Sequence, residues 1–172
     1  MSGWRIRLAR PEDAEALPDI ERTAAILFAD DPDCARLDLE DVWTTKEHRS
    51  LIARGHCLVA EMGADVIGFL ASQPFGSELH IWEMDVHPDH QGQGIGAVLL
   101  RACLVDATNS GFSAVTLTTF RDLPWNGPFY SRIGFTEVTD LAAHPRLAAE
   151  IAEEIGSGLP AARRIAMIKF LG

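Results

Sequence analysis

Residues 82–111, WEMDVHPDHQGQGIGAVLLRACLVDATNSG, constrain the fold more than any other part of the chain. A strand-like run ends at Val86, three glycines fall within five residues (Gly92, Gly94, Gly96), and an apolar pattern with helical spacing follows at once. Glycine takes positive φ without a Cβ penalty and lets the backbone come close to a ligand, so successive N–H groups can converge on an anion. A helix starting at the same point adds unpaired N–H groups and the positive end of its dipole. The unit is strand, glycine turn, helix, and it suits a phosphate or pyrophosphate. Ile95, Val98, Leu99, Ala102 and Val105 predict the buried face of the helix, and Gly111 is placed to cap its end.

The surrounding pattern is mixed. Trp4–Leu8 alternates as a short strand, and a helix follows that Pro11 suits at its first turn and Pro18 should kink or split. A second helix is expected after Asp38, with Asp38 as its cap, Leu39, Val42 and Trp43 on one face and Gly55 at its end. HCLVAEM, VIGFLASQ and LHIWEMDV, separated by turn residues, form an antiparallel meander. Beyond the glycine helix come the strand AVTLTTF, a short helix in NGPFYSRI that Asn126 could cap, a strand FTEV, a helical insertion in LAAHPRLAAEIAEEIGSGLPAA and a last strand RRIAMIKF. The chain is therefore expected to be α+β and to form one domain over residues 1–172.

Fifteen lysines and arginines against twenty-five acids give a formal charge of -10, which repels a phosphate backbone. Nucleic acid is excluded as a partner on that ground, and a cationic or neutral small molecule is easier to accommodate. Cys34, Cys57 and Cys103 form neither a disulfide framework nor a zinc knuckle. His87 and His90 make an H-x-x-H spacing, but they lie in a loop suited to phosphate rather than on a helix face, so no metal is expected. No apolar run reaches membrane-spanning length and no secretory h-region is visible, which places the chain in the cytoplasm and away from membranes.

Two patterns compete for the glycine loop. Gly92, Gly94 and Ala97 satisfy G-x-G-x-x-G/A, the dinucleotide fingerprint, which would make the chain a nicotinamide-dependent oxidoreductase. That turn should follow its strand immediately, whereas HPDHQ intervenes, and no acid closes AVTLTT to take the ribose hydroxyls. The alternative is Q-x-x-G-x-G, matched by Gln91, Gly94 and Gly96 after Val86-x-Pro88. This resembles the acetyl-CoA loop of the GNAT superfamily of N-acetyltransferases. NGPFYSRIGF resembles the same family's second signature, and the order of elements is similar over nearly the whole chain.

The resemblance implies a central, mostly antiparallel sheet, splayed between its fourth and fifth strands and flanked by helices. It also implies direct transfer of an acetyl group from acetyl-CoA to an amine, without an acyl-enzyme. Backbone N–H groups of Gln91, Gly92, Gln93, Gly94, Ile95 and Gly96 would hold the pyrophosphate. The edge formed by Met84, Asp85 and Val86 would pair with the pantetheine arm and polarise the thioester. Asn126 could bond the pantetheine or cap its helix, and Tyr130, the chain's one tyrosine, matches the family's acid for the departing thiolate. A base for the incoming amine should lie on LHIWEMDV, where His80 and Glu83 are the candidates. Strict alternation puts His80, Trp82, Met84 and Val86 on one face and Glu83 and Asp85 on the other, so the two candidates share a cleft only if a bulge intervenes.

The acceptor pocket would be made by the first two helices and the segment before the last strand. Acids in both, and the tryptophans Trp43, Trp82 and Trp125, are candidate lining for a small-molecule amine. A homodimer through the C-terminal strands is compatible with the resemblance. A catalytically silent acetyl-CoA-binding module is the alternative to an enzyme.

Overall fold

In the computed structural model, which describes residues 3–35, 37, 38 and 40–172, seven strands form one sheet in the order β1-β2-β3-β4-β5-β7-β6. The strands are β1 (Trp4–Leu8), β2 (Leu58–Met62), β3 (Asp65–Phe75), β4 (Glu78–Val86), β5 (Ala114–Phe120), β6 (Thr136–Glu137) and β7 (Arg164–Phe170). Every neighbouring pair is antiparallel except β4 and β5. The helices are α1 (Leu17–Ala24), α2 (Thr45–Ile52), α3 (Ile95–Asn109), α4 (Gly127–Arg132) and α5 (Pro145–Gly156).

The parallel pair is short. β4 meets β5 only from Glu78 to Ile81, opposite Ala114 to Leu117, while β5 continues along β7 to Phe120. Beyond Ile81 the edge of β4 that faces β5 has no strand against it among the described residues, and this opening positions the site.

Burial follows from strand alternation. Leu79, Ile81, Val115, Leu117, Ile165 and Met167 pack with Ile95, Leu99 and Cys103 of α3 on one face of the sheet. On the other face Val59, Phe69 and Ala71 meet Leu17 and Ile20 of α1 and Leu51 and Ile52 of α2, and Ala166 and Ile168 meet Leu147 and Ile151 of α5.

Two expectations need correction. The buried face of α3 is Ile95, Leu99, Leu100, Cys103 and Ala107, whereas Val98 and Val105 are 37% and 59% exposed. This helix carries apolar residues around much of its circumference, so periodicity located the helix but misplaced its core-facing side. The second helix starts at Thr45, not after Asp38. Thr44 and Glu47 form a reciprocal capping box there, while the Asp38 carboxylate accepts the Glu40 N–H in a local turn. Leu39, expected on that helix, lies outside the described residues. Pro18 does divide the first helical segment: a 3-10 turn at Pro11–Glu15 precedes α1, and Pro18 sits in the first turn of α1.

Candidate active site

The glycine loop is built as a backbone cradle. Gly92 and Gly94 hold φ of 76° and 82°, and Gly94 is the residue that starts α3. The Gln91 amide nitrogen donates to the Val86 carbonyl at 3.0 Å, tying the loop to the end of β4. The loop and α3 floor a cleft of about 410 Å³, which Met84, Asp85 and Val86 wall on one side and Phe129 and Tyr130 of α4 on the other. Gln91, Gly92, Gly94, Ile95, Gly96 and Asn126 also reach this cleft; Gln93 is exposed and does not.

Gly127 seats α4. A Cβ there would stand 2.7 Å from the Arg121 carbonyl oxygen and 3.0 Å from that of Phe120, so only glycine lets the helix come this close to the end of β5. Asn126 makes no side-chain cap on α4. Its Oδ1 accepts the Phe120 N–H at 3.4 Å and its Nδ2 donates to the Trp125 carbonyl.

A second, larger cleft of about 670 Å³ opens on the sheet face that carries α1 and α5, and Met84, Asp85, Asn126 and Tyr130 line both clefts. The joint between them is the unpaired edge of β4. Burial, together with the carboxylates of Glu83 and Asp85, pushes the Tyr130 phenol well above its ordinary pKa, so it stays protonated at neutral pH.

A bulge changes which β4 residues face the larger cleft. Ala71 of β3 pairs with Glu83 and Ser72 pairs with Ile81, so Trp82 is an extra residue on β4. Leu79, Ile81, Met84 and Val86 consequently pack on the α3 face, and His80, Trp82, Glu83 and Asp85 are turned to the other. The bulge puts both base candidates on one face, as alternation without it could not. Only Glu83 lines the cleft. His80 is fully buried, its Nδ1 2.8 Å from Thr116 Oγ1 and 3.2 Å from an Arg146 Nη1, and burial beside Arg146 lowers its pKa to about 3.

Glu83 is joined by a residue that motif reading passed over. Glu21 of α1 and Asp85 bring their carboxylate oxygens within 4.8 Å of that of Glu83. Glu21 is buried and accepts the Trp43 N–H at 2.7 Å, and Asp85 has one buried oxygen without a partner among the described residues. Burial raises all three above the ordinary carboxylate range; repulsion from Glu83 adds to the rise at Glu21 and Asp85, and at Glu83 itself Arg164 opposes the rise while Glu154 adds to it. Such a trio can hold a proton, receive one from an ammonium, or ligate a cation. The sequence did hold a signal for Glu21: it occupies an apolar-face position with Leu17, Ile20 and Ala24.

An open edge in a mixed sheet, a glycine cradle at a helix start beneath it and a protonated phenol at the opening meet in this one site. Residues 53–137 match the family model of the acetyltransferase (GNAT) domain. N-acetyltransferase 8F1 of Rattus norvegicus is 35% identical over 92 residues, which are 50% of this chain and 40% of that protein; the chain thus spans about two fifths of the length of such relatives. The fold is similar to that of PaiA N-acetyltransferase from Thermoplasma acidophilum in complex with coenzyme A, with a TM-score of 0.74, 17% identity and coverage of 99% and 100% of the two chains. A GNAT family acetyltransferase from Brucella melitensis in complex with acetyl-CoA is 26% identical with a TM-score of 0.59, over 77% of this chain and 82% of that one. No helix among the described residues is long and apolar enough to cross a membrane.

Proposed function

We propose that residues 1–172 form one acetyltransferase domain that moves an acetyl group from acetyl-CoA directly to a primary amine of a small molecule. The observation that carries this reading is the pair of clefts joined at the unpaired edge of β4, with Tyr130 lining both. One cleft has the backbone donors a pyrophosphate needs, and the other has the carboxylates an amine needs.

In this reading Gln91, Gly92, Gly94, Ile95 and Gly96, at the start of α3, hold the pyrophosphate, and the free N–H and C=O groups of Met84–Val86 pair with the pantetheine amides. The thioester then lies at the joint, where a backbone N–H aimed at its carbonyl oxygen stabilises the charge that develops during attack. Glu83, held among Glu21 and Asp85, takes the proton of the incoming amine directly or through water. Its raised pKa suits a base working near neutrality. The amine nitrogen bonds to the acetyl carbon, the carbon–sulfur bond breaks, and Tyr130 protonates the departing thiolate of CoA. His80 reaches neither cleft and holds the β4–β5 pair through Thr116 instead.

Thermal melting with acetyl-CoA and with NAD tests the donor. Acetyl-CoA is expected to raise the melting temperature and NAD to leave it unchanged; no shift with acetyl-CoA, or a larger one with NAD, would sink the reading. A panel of amines assayed for release of free CoA then tests the transfer itself.

A further inference from the structure

The larger cleft carries far more negative charge than one amine needs. Among the described residues its wall presents eight carboxylates and one guanidinium, that of Arg164. Arg164 is already occupied: its Nε lies 3.1 Å from a Glu154 oxygen, and its guanidinium stacks over the Phe120 ring. Glu154 pairs with Arg164, Asp38 and Asp41 stand on the segment before α2, and the other five acids form two groups. Glu21, Glu83 and Asp85 converge at the inner end, beside the joint with the cofactor cleft, and Glu150 and Glu153 stand on the α5 wall with no ion-pair partner among the described residues. The same cleft has apolar lining, including the Trp43 and Trp82 rings 5.7 Å apart.

We infer that the acceptor is a linear aliphatic diamine or longer polyamine, its reacting nitrogen at the inner trio, its methylenes along Trp43 and Trp82, and a second ammonium against Glu150 and Glu153. This rests on the transferase reading for the chemistry and on the cleft alone for the recognition. A monoamine leaves the α5 acids unanswered. An amino acid would bring a carboxylate in among these acids, where the one cation of the described residues, Arg164, is already paired, and like charges there are repelled.

Three ligands of matched length separate these cases: pentane-1,5-diamine, n-pentylamine and 5-aminopentanoate. Each is titrated by calorimetry into the protein with CoA present, and each is assayed for CoA release from acetyl-CoA. The diamine is expected to bind at least about tenfold tighter than either of the others, and to show a kcat/KM at least about tenfold higher, with both ratios shrinking as salt rises. The double variant E150Q/E153Q should bring the diamine-to-monoamine ratio to within about threefold. Equal affinity for diamine and monoamine, or preference for the zwitterion, overturns the inference. So does activity that requires an added divalent cation and disappears with a chelator, since the trio would then be a metal site. Calorimetry does not depend on turnover: tight diamine binding without CoA release retains this inference and removes the transferase, and fast turnover of monoamines and diamines alike does the reverse.

Discussion

The Glu21 carboxylate accepts the backbone N–H of Trp43 at 2.7 Å, joining α1 to the segment that leads into α2 and fixing one wall of the larger cleft. Removing the acceptor leaves a polar N–H unanswered, whereas an amide keeps an oxygen in place and removes a charge. Glu21→Ala is expected to cost about 1–2 kcal/mol in urea unfolding at pH 7, and Glu21→Gln to be neutral or stabilising.

Folding raises the carboxyls of Glu21, Glu83 and Asp85, so the folded chain holds protons that the unfolded chain has already released. Their contribution to stability is therefore complete at acid pH and is lost as pH rises above the ordinary carboxylate range through neutrality. A melting series from pH 5 to 9 should show this decline, and Glu83→Gln should flatten it while lowering turnover.

His48 works in the opposite direction. Both ring nitrogens are buried without partners among the described residues, the ring meets Phe69 edge-on, and burial lowers its pKa from 6.5 to about 4. Its neutral form contributes stability above pH 6.5, and that contribution is lost as pH falls toward 4, by up to about 3 kcal/mol. His48→Phe is expected to hold its melting temperature at pH 5 better than the native chain does.

Two glycines near the cofactor cleft should respond differently to alanine. A Cβ at Gly96 would meet only Met84 and Phe129, at 3.9 and 4.0 Å, both on the cleft wall. Gly96→Ala should therefore fold with stability equal to or about 0.5–1 kcal/mol above the native chain, yet lose acetyl-CoA affinity in a thermal-shift titration. Gly127→Ala forces a methyl against two backbone carbonyls and should lower the melting temperature even without cofactor.

Tyr130→Phe removes the phenolic hydroxyl and keeps the ring that packs with Phe129 and Phe135, which tests the proposed acid. Turnover is expected to fall about 100-fold with acetyl-CoA affinity little changed. Unchanged turnover would remove Tyr130 from the acid role.

The glycine loop, the meander and the order of elements were legible because each is written within a few consecutive residues. Gly92 and Gly94 announce positive φ, and AVTLTTF announces a strand that runs over the same residues, Ala114–Phe120, in the fold. The start of α2 was misread because Asp38 and Thr44 are both competent caps, and only Thr44 has a partner, Glu47, three residues on. The bulge at Trp82 had no local mark. It arises from pairing against Ala71 and Ser72, and it sets which side chains of β4 face the cleft.

By itself, then, the sequence determined a strand, a glycine cradle and a helix that resemble an acetyl-CoA site, because backbone conformation and hydrogen-bond donors are local properties. Tertiary structure alone decided that Glu21 joins Glu83 and Asp85, that α5 lends its acids to the opposite wall, and that His80 is withdrawn from the cleft. Glu21 is 62 positions from Glu83 and 64 from Asp85, the α5 acids are further along still, and a bulge turns the side chains of β4; charge acts through space, so only the packed fold brings the carboxylates close enough to share protons and attract a cation.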